Sequence, residues 1–110
     1  MVNMRLYHNP RCSKSREAIA ILESKNIQFD IIHYLSDGII NQDLDLLCKL
    51  DGIIRTNEKE FRENPVDITN FGNVRSLLLN HPKLLQRPVL VSGGKAVIGR
   101  PPEEILILLP

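Results

Sequence analysis

The chain has 110 residues, 43% hydrophobic and 25% charged, with a formal net charge of +1. This length predicts one domain, residues 1–110, able to bury roughly two-thirds of its unfolded surface around a core that needs no staples. The near-neutral balance argues against bulk attraction to nucleic acid or membrane, and no apolar run approaches the length of a membrane span. Residues 2 to 7 alternate in polarity and read as a first strand. The loop Tyr7-His8-Asn9-Pro10-Arg11-Cys12-Ser13-Lys14-Ser15-Arg16 follows, and Glu17 to Lys25 reads as a helix with Ala18, Ile19, Ile21 and Leu22 as its apolar stripe. A cysteine at such a strand-to-helix turn meets the unpaired amides and positive dipole end of the helix, which favour a thiolate. Arg11, Lys14 and Arg16 add positive charge, and His8 adds a titratable donor. The same surroundings suit an oxyanion. A buried structural thiol is the bland alternative, but three cations in a proline-containing loop are hard to bury.

Asn26 ends the helix, and Ile27 to Tyr34 reads as a second strand. Short links between strand, helix and strand make a right-handed βαβ unit with parallel strands. Ser36-Asp37-Gly38 is turn chemistry. Asn41 caps a helix through Leu44, Leu46, Leu47 and Leu50, which Asp51-Gly52 ends. A short helix is expected around Glu58 to Arg62, and one capped by Asp67 or Thr69 runs through Val74 and Leu77 to Asn80. Residues 41 to 80 thus form a helical insert, too poor in apolar residues for a core of its own. Pro88 to Val91 and Ala96 to Ile98, joined by Ser92-Gly93-Gly94, read as an antiparallel hairpin. Pro101-Pro102-Glu103-Glu104 opens a last helix with Ile105 to Leu109 as its body.

The start of the chain lacks the basic region and apolar segment of a signal peptide, which predicts a reducing cytoplasm. Cys12 and Cys48 then read as free thiols. Ser15 stands where a Cys-x-x-Cys motif would place its second cysteine, and no Cys/His spacing suggests a metal site. Cys48, within a leucine-rich helix, reads as a small core residue. A Cys-x5-Arg phosphatase loop is excluded, because position 18 is alanine.

The order βα-β, helical insert, β-β-α is the thioredoxin/glutaredoxin-like α/β arrangement, a mixed four-stranded sheet flanked by helices. Residues 7 to 16, Arg55, His81-Pro82-Lys83-Leu84-Leu85-Gln86-Arg87-Pro88-Val89 and Ile98-Gly99-Arg100-Pro101-Pro102-Glu103 resemble the glutaredoxin-coupled arsenate reductase (ArsC) family, most closely its short branch. The resemblance spans nearly the whole chain and is weakest over residues 51 to 73. It implies that Cys12 attacks arsenate to form a thiol ester, that glutathione enters as reductant with no bound cofactor, and that glutaredoxin resolves the mixed disulfide. It also implies that Arg55, Arg87 and Arg100 hold the oxyanion, that His8 helps to lower the cysteine pKa, and that Ser15 places a hydroxyl near the thiolate. A tetrahedral dianion suits forked guanidinium donors, and a lone cysteine suits a cycle that borrows its second thiol. The fold further implies a cis Arg87–Pro88 peptide beside the cysteine.

Plain alternatives stand beside these roles. Arg55, Arg87 and Arg100 read equally as solvated surface charges, His8 as a partner for a loop carbonyl, and Ser15 as a first-turn hydroxyl. At the level of the whole protein, Spx-type regulators share this fold and bind RNA polymerase, but many of them carry the Cys-x-x-Cys switch that Ser15 removes here. A thiol enzyme acting on another oxyanion or on a glutathione mixed disulfide is the remaining class.

Overall fold

The computed structural model describes residues 3–110. Strand β1 is Met4–Tyr7 and helix α1 is Ser13–Ser24, followed by β2, Asp30–Ile32. A single helical turn, α2 (Tyr34–Asp37), leads to α3 (Asn41–Cys48), α4 (Lys59–Glu63) and α5 (Phe71–Asn80). A 3-10 turn at Pro82–Leu84 precedes β3 (Val89–Ser92) and β4 (Lys95–Ile98), and a 3-10 helix spans Pro102–Leu108. The sheet order is β2-β1-β3-β4. β1 runs parallel to β2 with Leu6 beside Ile31, and antiparallel to β3 with Leu6 beside Leu90. β3 and β4 form the antiparallel hairpin, Leu90 beside Val97. This is the mixed four-stranded thioredoxin-like sheet read from the sequence.

The period of two along the strands divides the core. Tyr7, Val89 and Val91 face the insert, where they meet Leu44, Leu47, Val74, Leu78, Leu84 and Leu85. Leu6 and Leu90 face the other way, onto Ala18 and Leu22 of α1 and Ile105 of the C-terminal helix. The insert helices therefore share one core with the sheet instead of packing among themselves.

Several boundaries differ from the sequence reading. The predicted start of β1 at Val2 lies outside the described residues. Helix α1 begins at Ser13, four positions before the expected start at Glu17, because its first turn is polar and carries no part of the apolar stripe. Asn26 does end it, with φ of 55°, and its amide donates to the Glu23 carbonyl (3.0 Å). β2 is shorter than Ile27 to Tyr34: Ile27 and Phe29 turn into the α1-side core, and Tyr34 has already left the sheet for α2. Ile40, not Asn41, caps α3, and it does so without a side-chain bond. Asn70 caps α5, its Oδ1 accepting from the Asn73 amide (2.9 Å), while Asp67 is engaged in a turn with the Thr69 amide (2.9 Å). The last helix is 3-10 rather than α.

Candidate functional site

The end of β1 and the start of α1 build the nucleophile position. The His8 amide donates to the Ile32 carbonyl (3.1 Å), which ties the loop to β2. Asn9 then folds it twice: its carbonyl accepts from the Cys12 amide (3.0 Å) and its Oδ1 from the Arg11 amide (3.0 Å). Cys12 emerges as the N-cap of α1, with extended backbone, partly exposed and a free thiol. A capping position without a hydroxyl or carboxylate leaves the first amides of the helix available to the sulfur or to a bound anion.

Two arginines close on this position from the hairpin. Arg100 Nη2 lies 3.6 Å from Cys12 Sγ, and Arg100 Nε donates to the Arg87 carbonyl at 2.8 Å. The guanidinium of Arg87 faces the same sulfur without an aligned bond, and its Nε is buried without a partner. The Arg87–Pro88 peptide is cis, and so is Arg100–Pro101, which the sequence reading does not anticipate. Gly99 lets the two arginine-bearing turns approach: its amide donates to the Pro88 carbonyl (2.8 Å), and a Cβ there would stand 2.8 Å from Pro88 Cγ. Any side chain at 99 would push the turn carrying Arg100 away from Pro88.

Arg55 occupies another wall. It directly follows Ile54, which bridges to Leu85, and its amide donates to the Leu84 carbonyl (2.8 Å). Its Nε is bound to Glu58 Oε1 (3.0 Å) and its Nη1 to Gln86 Oε1 (2.8 Å). A cleft of about 370 Å3 connects it to Arg100, with Thr56, Asn57 and Gln86 along the way. Arg87 and Arg100 thus reach the thiol directly, whereas Arg55 meets Arg100 across the cleft.

His8 and Ser15 lie beneath the loop. His8 Nδ1 is 2.6 Å from Ser15 Oγ, which also accepts from the Asn9 amide (3.1 Å). Both residues are buried. Burial, aided by the charges of His33 and Arg16, holds the imidazole below its ordinary pKa. Burial thus favours the uncharged imidazole, which sits against the Ser15 hydroxyl. At Cys12, burial pushes the thiol up, but the Ser15 amide, the Arg87 guanidinium and the charge of Arg100 outweigh it and leave the thiol below its ordinary value. The thiol lies between two forked cations that favour its thiolate, a geometry that can receive a tetrahedral oxyanion.

Three neighbours went unread in the sequence. Tyr34 is fully buried; burial pushes its phenol up, opposed by the charge of Arg87, and the Asn9 amide lies close but out of bonding geometry. Its run of β-branched and aromatic neighbours marks it only as a strand or core residue. Gln86 holds Arg55, and no spacing signals that contact. Glu58 was readable in principle, since an acid three positions after an arginine is a helix-type pair. Among the described residues, no group of three or more His, Cys, Asp or Glu side chains is placed to hold a metal ion.

Comparison with known proteins identifies the family. The ArsC family profile matches residues 7–108. An arsenate reductase of Neisseria meningitidis serogroup A is 36% identical over 117 residues, covering 99% of this chain and all of the relative. An arsenate reductase of Haemophilus influenzae is 37% identical over 112 residues, covering 94% and 97% of the two chains. Among solved structures, an arsenate reductase from Vibrio cholerae superposes with a TM-score of 0.83 at 32% identity, covering 96% of this chain and 97% of the other. With a family match over nearly its whole length and relatives of the same span, the chain belongs to the ArsC family.

Proposed function

We propose that this protein reduces arsenate to arsenite, with Cys12 as nucleophile, glutathione as reductant and glutaredoxin as the protein that regenerates the thiol. The observation that carries the reading is the thiol of Cys12 at 3.6 Å from Arg100, with the Arg87 guanidinium facing the same sulfur. In the first step the Cys12 thiolate attacks arsenic(V), and an arsenate oxygen departs as water after protonation. The two guanidinia offset the repulsion between the thiolate and the dianion. A glutathione thiolate then displaces a second arsenic-bound oxygen, which departs as water after protonation, and a second arsenic–sulfur bond forms. As the two sulfurs couple into a Cys12–glutathione disulfide, their electron pair reduces arsenic(V) to arsenic(III), which leaves as arsenite. A glutaredoxin thiolate attacks the glutathione sulfur and releases Cys12.

The need for an outside thiol is supported by the position of Cys48. It closes α3 and lines a different cleft, with Ile53, Ile68 and Val74, while the Cys-x-x-Cys position holds Ser15. The test is arsenate-dependent NADPH consumption with glutathione, glutaredoxin and glutathione reductase. Cys12→Ser is expected to abolish it, because a hydroxyl ionises far too weakly to replace the thiolate. Equal turnover with thioredoxin and its reductase in place of glutathione and glutaredoxin would overturn the glutathione route while leaving arsenate as substrate.

A further inference from the structure

The arginine site contains a carboxylate that oxyanion binding alone does not call for. Glu58 Oε1 lies 3.0 Å from Arg55 Nε and 4.0 Å from Arg87 Nη1, and its Oε2 lies 3.9 Å from Lys83 Nζ. Its side chain is only 21% exposed. The position is not explained by folding demands, because Glu58 caps α4 through its backbone and its side chain makes no capping bond. Nor does Arg55 need the negative charge to stay in place, since Gln86 already holds its Nη1. Meanwhile Arg87 Nε is buried and unpartnered, an open donor beside a guanidinium whose Nη1 faces Glu58.

We infer that Glu58 selects among tetrahedral oxyanions, as the acceptor for the proton that arsenate carries. This rests on the oxyanion reading of the site and sharpens it. An anion seated on Arg87 lies within reach of Glu58 Oε1. Arsenate and phosphate keep a proton on oxygen at neutral pH, and that O–H can donate to the carboxylate. Sulfate has no proton there, so the same contact sets one anion against another with no bond to offset the repulsion. Glu58 therefore acts by rejection: it weakens the clamp for every anion and returns the loss only to one that brings a proton. Sulfate and arsenate match in shape and charge, so shape alone separates them poorly. A half-buried acceptor that one ligand satisfies and the other cannot is the stronger discriminator.

The experiment measures binding of inorganic arsenate and inorganic sulfate to the intact protein by calorimetry, for wild type, Glu58→Gln and Glu60→Gln. Glutamine preserves the length of the side chain and an acceptor for Arg55, and circular dichroism checks the fold. Glu60 binds Lys83 at 3.1 Å, away from Arg55 and Arg87, and serves as the charge-matched control. Wild type is expected to prefer arsenate. Glu58→Gln is expected to bind sulfate roughly tenfold or more tighter than wild type, with a smaller change for arsenate, so that selectivity narrows. Glu60→Gln is expected to keep the wild-type ratio. In turnover, sulfate becomes an inhibitor of Glu58→Gln by raising KM for arsenate while kcat is unaffected. An unchanged ratio in Glu58→Gln, or a wild type that binds the two anions equally, overturns the inference while the oxyanion site stands. If neither anion binds any of the three proteins, the inference and the oxyanion reading fall together. Should Glu58→Gln fail to fold, Glu58→Asp is measured instead. It keeps the charge but pulls the acceptor back, so arsenate binding should weaken and the ratio fall; an unchanged ratio again overturns the inference.

Discussion

Cys12 and Cys48 show how one side-chain chemistry is tuned in opposite directions by its surroundings. At Cys48, burial and the neighbouring charge of Asp45 push the thiol up, against a smaller opposing effect of Arg75. At Cys12, burial acts in the same sense but is outweighed by the Ser15 amide and the two arginines. Alkylation by iodoacetamide follows the thiolate, so its pH profile reports each shift. Peptide-mapped labelling of the native protein is expected to give Cys12 a midpoint below the ordinary thiol value of about 8.5, and Cys48 one above it. Coincident profiles would show that the loop does not activate its cysteine. The lowered Cys12 thiol was legible as a direction from a cysteine at a cationic helix start. Loop composition alone points to three local cations, whereas the family resemblance points to Arg87 and Arg100, distant in the chain, and these are the ones that reach the sulfur. The lowered pKa of His8 was not legible, because it comes from burial, and burial cannot be read from a single loop sequence.

At the scale of elements, β1 is bound to the insert by one buried carboxylate. Asp43, in the first turn of α3, accepts from both nitrogens of the Arg5 fork and from the Tyr7 hydroxyl (2.6 Å). The same hydroxyl accepts from the Ile40 amide (3.2 Å), so it joins the entry of α3 to the strand that ends beneath the cysteine loop. Burial pushes the Asp43 carboxyl up, but the bonds from Arg5 and Tyr7 hold it below its ordinary range. Because the folded value is the lower one, the unfolded chain takes up the proton first on acidification. The stabilisation is therefore present above about pH 4 and is lost as pH falls through the folded value. Asp43→Asn is expected to lower stability by about 3 kcal/mol at pH 7, as for a broken buried ion pair. It should also flatten the acid limb of a urea-unfolding series between pH 7 and pH 3. An unchanged acid limb would mean that other carboxylates govern acid unfolding. No residue pattern signals this contact, since Arg5 and Asp43 each look like ordinary solvated charges on their own element. The elements themselves were readable where apolar periodicity was strong, in α1, α3, α5 and the hairpin. Their polar ends were not, because the first turn of α1 and the residue that caps α5 follow bonding geometry rather than hydrophobic pattern.

The whole molecule brings together residues that the chain keeps far apart. Cys12 comes from the β1–α1 turn, Arg87 from the entry to β3, Arg100 from the exit of β4, and Arg55 from the segment between α3 and α4. The sheet order sets β3 beside β1, so the ends of β1 and β3 that carry Cys12 and Arg87 meet as Tyr7 pairs with Val89. Val89 pairs in turn with Ile98, which brings Arg100 to the same edge. The strand order was legible from the pattern of elements, and with it the meeting of the three; which guanidinium nitrogen faces the sulfur was not. Arg100 uses two nitrogens at once, Nε on the Arg87 carbonyl and Nη2 toward Cys12, so it fixes the neighbouring turn as well as the charge. A lysine amine is a single point on a flexible stem and cannot hold both contacts. Arg87 presents a buried, unpartnered Nε together with its terminal nitrogens, again a fork that lysine cannot offer. Loss of one preorganised donor to charge that shifts in the transition state typically costs roughly 2.7–4 kcal/mol, or about 100- to 1000-fold in kcat. Arg87→Lys and Arg100→Lys are each expected to lose turnover on arsenate in that range with the fold intact by circular dichroism. Arg11→Lys, in the loop but with an exposed side chain and outside the proposed oxyanion triad, should retain turnover within a few-fold of wild type. Wild-type kcat in both hairpin variants would show that forked donation at Cys12 is not what drives the chemistry, and that cationic charge alone suffices.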